Sequence, residues 1–187
     1  MSTFAKSGLL FLTLSIISIP FFFSCGDESL IQFDVNYDLP RIYFNYPSSS
    51  FQKNEMISLY TGEAKINLDS ILSVNKIPEG FIKSAYLNRF ILTLTDPPEA
   101  NFDWLQSANV LVSANSSIDP GAEVAYIDTV NPGNRILTFK LRKVDMIPYM
   151  NDTTFYYQLS AAPSGVLPYP VVSMYLDLQI RLHIEAF

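Results

Sequence analysis

The chain predicts an all-β fold: an antiparallel Greek-key or immunoglobulin-like β-sandwich of about eight strands, with one or two one-turn helices. Three observations carry this expectation. Apolar residues recur at every second position through most of the sequence, and turn residues, 12 prolines among them, punctuate it at short intervals. Past the amino-terminal segment no stretch carries a long amphipathic helical stripe. A small barrel is the second choice.

The clearest strand is the last, SMYLDLQIRLHIEAF. Met174, Leu176, Leu178, Ile180, Leu182 and Ile184 fall on one face, and Tyr175, Asp177, Gln179, Arg181, His183 and Glu185 on the other. That alternation specifies a long half-buried strand, because a helix would scatter the same leucines round its circumference. QFDVNYD and RIYFNY flank Pro40, which fits an edge strand broken by a kink. MISLYTGEAKINL has two apolar runs split at Thr61-Gly62 and reads as a hairpin or a bulged strand. FIKSAYLNRFILTLT alternates from Ala85 to Thr95, and ANVLVSA, EVAYIDTV, RILTFKLR and TFYYQLSAA complete the set. NPGN between EVAYIDTV and RILTFKLR is a turn signal and makes those two the best-supported hairpin. NFDWLQSA and KVDMIPYMND read as single helical turns, capped by Asn101 or Asp103 and by Asp145, with Pro148 limiting the second.

The amino-terminal segment has a different character. Lys6 is its only charge before Cys25, and residues 8–23 contain no ionisable side chain. A positive start followed by an apolar core of about 16 residues is the layout of a secretory signal, and it falls short of the ~20 residues a spanning helix needs. Small Ser24 precedes Cys25, the sole cysteine. With no second cysteine Cys25 cannot close an internal disulfide, and a free thiol in an exported protein is reactive. These residues resemble the lipobox of bacterial lipoproteins, and Phe23 before Ser24 resembles the looser form found in the Bacteroidota. The resemblance implies cleavage after residue 24, acylation of Cys25 and attachment to the outer membrane. It divides the chain into a signal peptide at 1–24, a lipidated tether at 25–32 and one sandwich domain at 33–187. Gly26 stands where an inner-membrane retention signal would place Asp, and Asp27-Glu28 resembles the acidic patch of surface-exported lipoproteins. Two acids in a tether are also ordinary solvated linker, so the cell-surface and periplasmic faces both stay open. The strand, acidic loop, one-turn helix and strand pattern of residues 88–114 and 141–161 is similar to β-sandwich domains of uncharacterised Bacteroidota lipoproteins, which implies fold more than activity.

The remaining roughly 160 residues suit one domain. The formal net charge is −6, and the Lys and Arg residues are scattered. That disfavours nucleic acid, whose phosphates need clustered cations. His183 is the only histidine, no serine lies in a Gly-x-Ser-x-Gly context, and glycine is too scarce for a phosphate-cradling loop. No catalytic residue is assigned and the chain reads as non-enzymatic. Acids in loops supply the alternatives. Asp96, Glu99 and Asp103 cluster in DPPEANFD, and Asp119 and Glu123 in IDPGAE, with Asp128 beyond. Convergent carboxylates would bind Ca²⁺ or serve glycoside hydrolysis, whereas isolated ones start turns and cap helices. Beyond a possible Ca²⁺ no cofactor is expected.

Trp104, Tyr156, Tyr157, Tyr169 and Tyr175 are candidates for a carbohydrate- or protein-binding surface, since such side chains combine large area with a polar tip. Trp104 also suits a plug at one end of the sandwich, while Tyr169 lies in the proline-rich loop PSGVLPYPVV, the better contact surface. Asp69-Ser70-Ile71, Asp128-Thr129-Val130 and Asp152-Thr153-Thr154 resemble Bacteroidota O-glycosylation sites, with Thr153 expected to be the most accessible. The expected function is that of a lipid-anchored accessory or binding subunit with a protein or glycan partner. A carbohydrate-active enzyme and a purely structural envelope lipoprotein are the alternatives.

Overall fold

A computed structural model describes residues 31–50 and 55–186. Cys25 and the segment before it lie outside the described residues, as does most of the tether. The tether is expected to end at residue 32, but Ile31 and Gln32 already belong to the first strand.

Two antiparallel sheets pack face to face. The front sheet runs β1 (Ile31–Asp38), β10 (Val171–Ala186), β4 (Gly80–Asp96), β7 (Ile136–Thr138), and β2 (Ile42–Pro47) continues beside β10 beyond the end of β1. The back sheet runs β3 (Ile57–Lys65), β9 (Thr154–Pro163), β5 (Leu105–Ser113), β6 (Ala122–Ile127), β8 (Lys140–Leu141). The fold is therefore an antiparallel Greek-key sandwich and not a closed barrel. Its strand order is that of a jelly roll, two Greek keys wound on each other.

β10 is the strand that the alternation specifies. Val172 and every second residue from Met174 to Ala186 are buried. One edge of β10 pairs with β1 and β2, and the other pairs with β4 from Ser173 to Ala186. Pro40 sits at the kink between β1 and β2, and the Leu39 amide donates to the Leu178 carbonyl at 3.0 Å, so the break costs no pairing there. β3 is a bulged strand, not a hairpin: its register against β9 skips Leu59. Gly62, opposite Tyr157, leaves room for the Tyr60 ring, which would stand 2.5 Å from any Cβ at that position.

β4 departs from simple alternation. Its register against β10 skips Lys83, Asn88 and Thr95, and each skip resets which side chains face inward. Ala85 and Leu87 point to the core before the skip at Asn88, and Phe90, Leu92 and Leu94 after it. The core lies between the sheets, with Phe90 meeting Phe139 edge-on at 4.9 Å.

Three local expectations are corrected. EVAYIDTV and RILTFKLR pair over only two residues, Ala125 with Leu141 and Tyr126 with Lys140, because β7 joins the front sheet and the chain crosses at Phe139. NFDWLQSA is a turn running into β5 rather than a helical turn, whereas KVDMIPYMND does hold the expected single turn, a 3-10 helix at Ile147–Tyr149 whose Ile147 amide donates to Asp145 Oδ1 at 3.1 Å. A seven-residue helix, α1 (Leu68–Val74), follows β3 where the sequence reading assigns no helix. The Asn67 side chain caps it, accepting from the Ser70 amide at 3.0 Å, and Ile71 and Leu72 are buried on one face.

Truncation at the centre of this core should be severe. Phe90→Ala removes a fully buried ring and should lower unfolding free energy by about 3–5 kcal/mol, read from urea denaturation. Val74→Ala, at an exposed position closing α1, should stay within about 0.5 kcal/mol of the parent.

Candidate functional site

Alternation along β10 puts a second set of side chains on the outward face of the front sheet. Cross-strand register arranges them in rows. Asp34, His183 and Ser84 form one row, and Asn36, Arg181 and Tyr86 the next. Asp38, Gln179 and Arg89 follow, and Tyr43, Tyr175 and Thr93 lie furthest toward Val171.

The rows are tied together by charge. Asp34 Oδ2 receives Arg181 Nη2 at 2.5 Å and Asp34 Oδ1 lies 2.9 Å from His183 Nδ1. The Arg181 hydrogen bond, and after it that of His183, holds the Asp34 carboxyl below its ordinary 3.8. Arg89 bridges Asp38 at 2.7 Å and Asp177 at 2.8 Å. Gln179 donates to Asp38 at 2.8 Å and accepts from Asn88 at 2.5 Å. Lys83 and Gln32 both reach Glu185, which is buried although it points to this face. Exposed ion pairs contribute little to stability, so this ladder fixes side-chain positions more than it holds the fold.

A trough of about 620 Å³ opens across this face. Its floor comes from the Asp34 and Arg181 rows, and its rim is Leu141, Arg142 and Lys143, where the chain has left the front sheet for the back one. Arg142 is held by Glu123 at 2.6 Å and lies over the Tyr126 ring at 4.4 Å. Lys143 has no ion pair among the described residues. At the other end of the face Tyr43, 68% exposed, lies 5.5 Å from Tyr175, and the Arg41 guanidinium sits 5.1 Å from the Tyr175 ring centre.

A second assembly of loops closes the sandwich at the end remote from Ile31. The Phe102 amide donates to the Asn134 carbonyl, Ser164 to Trp104, and Gly133 to the Asp103 carboxylate at 2.6 Å. Arg135 organises it: its guanidinium reaches the carbonyls of Leu94, Thr95, Pro97, Pro98 and Ala100. No sequence signal marked Arg135 beyond its place after the NPGN turn.

The residues singled out from sequence scatter over these features. Trp104 is 2% exposed and stacks on Tyr46 at 6.1 Å, and Tyr157 is fully buried, so both belong to the core and not to a binding surface. Their large apolar area is used in packing, and the exposed tyrosines of the front sheet are Tyr43 and Tyr86, with half-buried Tyr175 beside Tyr43. Tyr156 and Tyr169 are half-buried. Asp96, Glu99, Asp103, Asp119 and Glu123 do not converge: among the described residues no three acids, histidines or cysteines group as a metal site would require. Asp103 holds the loop cluster and Glu123 holds Arg142. Ser70 and Thr129 are exposed, while Thr153, expected to be the most accessible, is half-buried beside Ile66. His183 lies on the outward face, as the alternation requires, but its partnership with Asp34 joins residues 149 apart and had no sequence signal.

No family model matches this chain, and no curated protein is similar to it. Similar solved structures include the decameric BFDV capsid protein, 12% identical with a TM-score of 0.42, over 84% of this chain and 99% of that one. Desmodium yellow mottle tymovirus is 16% identical with a TM-score of 0.30, over 98% and 94%. Infectious bursal disease virus, Gt strain, is 9% identical with a TM-score of 0.38, over 85% and 38%.

Two measurements test this geometry. Carboxyl NMR should give Asp34 a titration midpoint below 3.8, rising toward that value more in Arg181→Ala than in His183→Ala. The folded state is favoured by this group above pH 3.8, and that contribution fades as pH falls through the depressed midpoint. Arg135→Ala should cost about 2–3 kcal/mol by urea denaturation, since several carbonyls lose a charged donor, and Arg135→Lys should recover only part of it.

Proposed function

We propose that this chain is a non-enzymatic lipoprotein of the outer membrane, and that it works as a binding subunit through the outward face of its front sheet. The observation that carries the reading is the character of that face. Its charged and aromatic side chains are held in register by one another, and among the described residues no helix or loop covers the trough they border. A face that served only solubility would have no need of so many interlocked partners.

The lipid anchor gives the face a setting. Five residues lie between Cys25 and Ile31, and the six steps along the chain reach at most about 22 Å. On this reading the Ile31 end of the front sheet lies toward the bilayer. The loop cluster around Arg135 then stands at the far end of β10, a strand about 50 Å long. The trough looks sideways, open to an envelope component beside it. Attachment through acyl chains would be durable, at about 0.8 kcal/mol per buried CH₂.

Cys25→Ala tests the anchor. In a native host the parent should label with radioactive palmitate and fractionate with the outer membrane, while the variant should lose the label and leave that fraction. A variant that keeps its membrane association without label would refute the lipidation reading.

A further inference from the structure

We infer that the occupant of the outward face is an acidic polysaccharide, one whose sugar rings carry carboxylates. The inference rests on the proposed binding role and names its ligand class. Four observations converge on it.

The first is shape. Outward residues of β10 from Tyr175 to His183 form a continuous strip of about 26 Å, which suits an extended polymer better than a compact metabolite. The second is the aromatic end. Tyr43 presents an exposed ring tilted 49° to that of half-buried Tyr175, over which the Arg41 guanidinium lies. Such a ring face packs on the C–H surface of a pyranose, and the phenol and guanidinium supply polar contacts at its edge. The third is the middle. Asp38, Asn88, Asp177 and Gln179 set amides and carboxylates beside the Arg89 guanidinium, so donors and acceptors alternate at hydrogen-bond spacing. Vicinal hydroxyls, each both donor and acceptor, match that pattern.

The fourth is charge. The chain as a whole is at −6, yet Arg142, Lys143 and Arg181 all border the trough; Glu123 offsets Arg142 and Asp34 offsets Arg181, so the surplus cation there is Lys143. Lys143, without an ion pair among the described residues, is the natural partner for a ligand carboxylate. An extended peptide would seek a free strand edge, and the strip runs along a strand paired on both sides.

The test is a calorimetric titration of the full chain in detergent micelles with polygalacturonate. Neutral dextran and polyglutamate serve as controls, and thermal midpoints confirm that each variant is folded. Saturable binding to polygalacturonate alone is expected. Tyr43→Ala and Lys143→Glu, both at exposed sites, should each weaken it about tenfold, and Lys143→Glu should flatten its salt dependence. Equal binding to polyglutamate with no effect of Tyr43→Ala would reduce the site to a charge patch and overturn the inference. Absence of binding to polygalacturonate would also overturn it. A photo-crosslinker placed at Asn88 in cells then separates the two readings. Specific adducts to an envelope protein would keep the binding role and reject the glycan, and no adducts would remove both.

Discussion

Hydrogen bonding along both edges of β10 is the constraint from which the rest follows. The strand is paired with β4 on one side and with β1 and β2 on the other, so it cannot slide without breaking three partnerships. A shift by one residue would turn Leu176, Leu178, Ile180, Leu182 and Ile184 out to water and bring Asp177, Arg181 and His183 into the core. The hydrophobic term therefore locks the register, and the locked register aligns Asp34 with His183 and Asp38 with Gln179. The outward face is a consequence of the inward one.

The same logic explains why the trough sits where it does. β7 extends the front sheet for only three residues before the chain crosses at Phe139 and joins β6 as β8. The Phe139 amide still bonds the Phe90 carbonyl, and the Met146 amide the Ala85 carbonyl, so the chain leaves β4 and returns to it. Between those two ties the chain carries Leu141, Arg142 and Lys143 away from β4 and opens the space above Tyr86 and Asn88. Asp145 closes the far side by accepting the Ala85 amide at 3.0 Å. A single sheet-switching strand thus joins the two sheets and makes the rim of the candidate site.

Much of this was legible in the residues, and the failures have physical causes. The β10 alternation and the kink at Pro40 could be read directly, because each is a local pattern with one structural solution; the β3 stretch left a hairpin and a bulged strand open, and its bulge lies at Leu59 rather than at Thr61-Gly62. The resets in β4 could not be read. A bulge at Asn88 leaves an apolar pattern that still looks regular, since Leu87 and Phe90 differ by three positions and Ile91 fills the apparent phase. α1 is only two turns long and owes its ends to Asn67 and Asn75, too little sequence for helical periodicity to stand out. Aromatic identity also misled. Tyr157 has the character of a binding-surface residue but is fully buried, because whether a ring faces water is decided by cross-sheet geometry; Trp104 is the plug that its place beside Leu105 suggested. The ladder on the outward face joins residues as far apart as Gln32 and Glu185, and such pairings exist only once the strand order is known.

On the proposed reading, the outward face of the front sheet, rather than the loop cluster around Arg135, is the surface this protein uses. Hydroxyl-radical footprinting on intact cells, set against the purified protein, tests it most directly. The account predicts protection in cells at Tyr43, Tyr86, Tyr175 and His183, with Tyr169 and Pro132 labelled equally in both states. Protection confined to Tyr169, Pro132 and their loops, with the outward face of β10 fully labelled in cells, would contradict it.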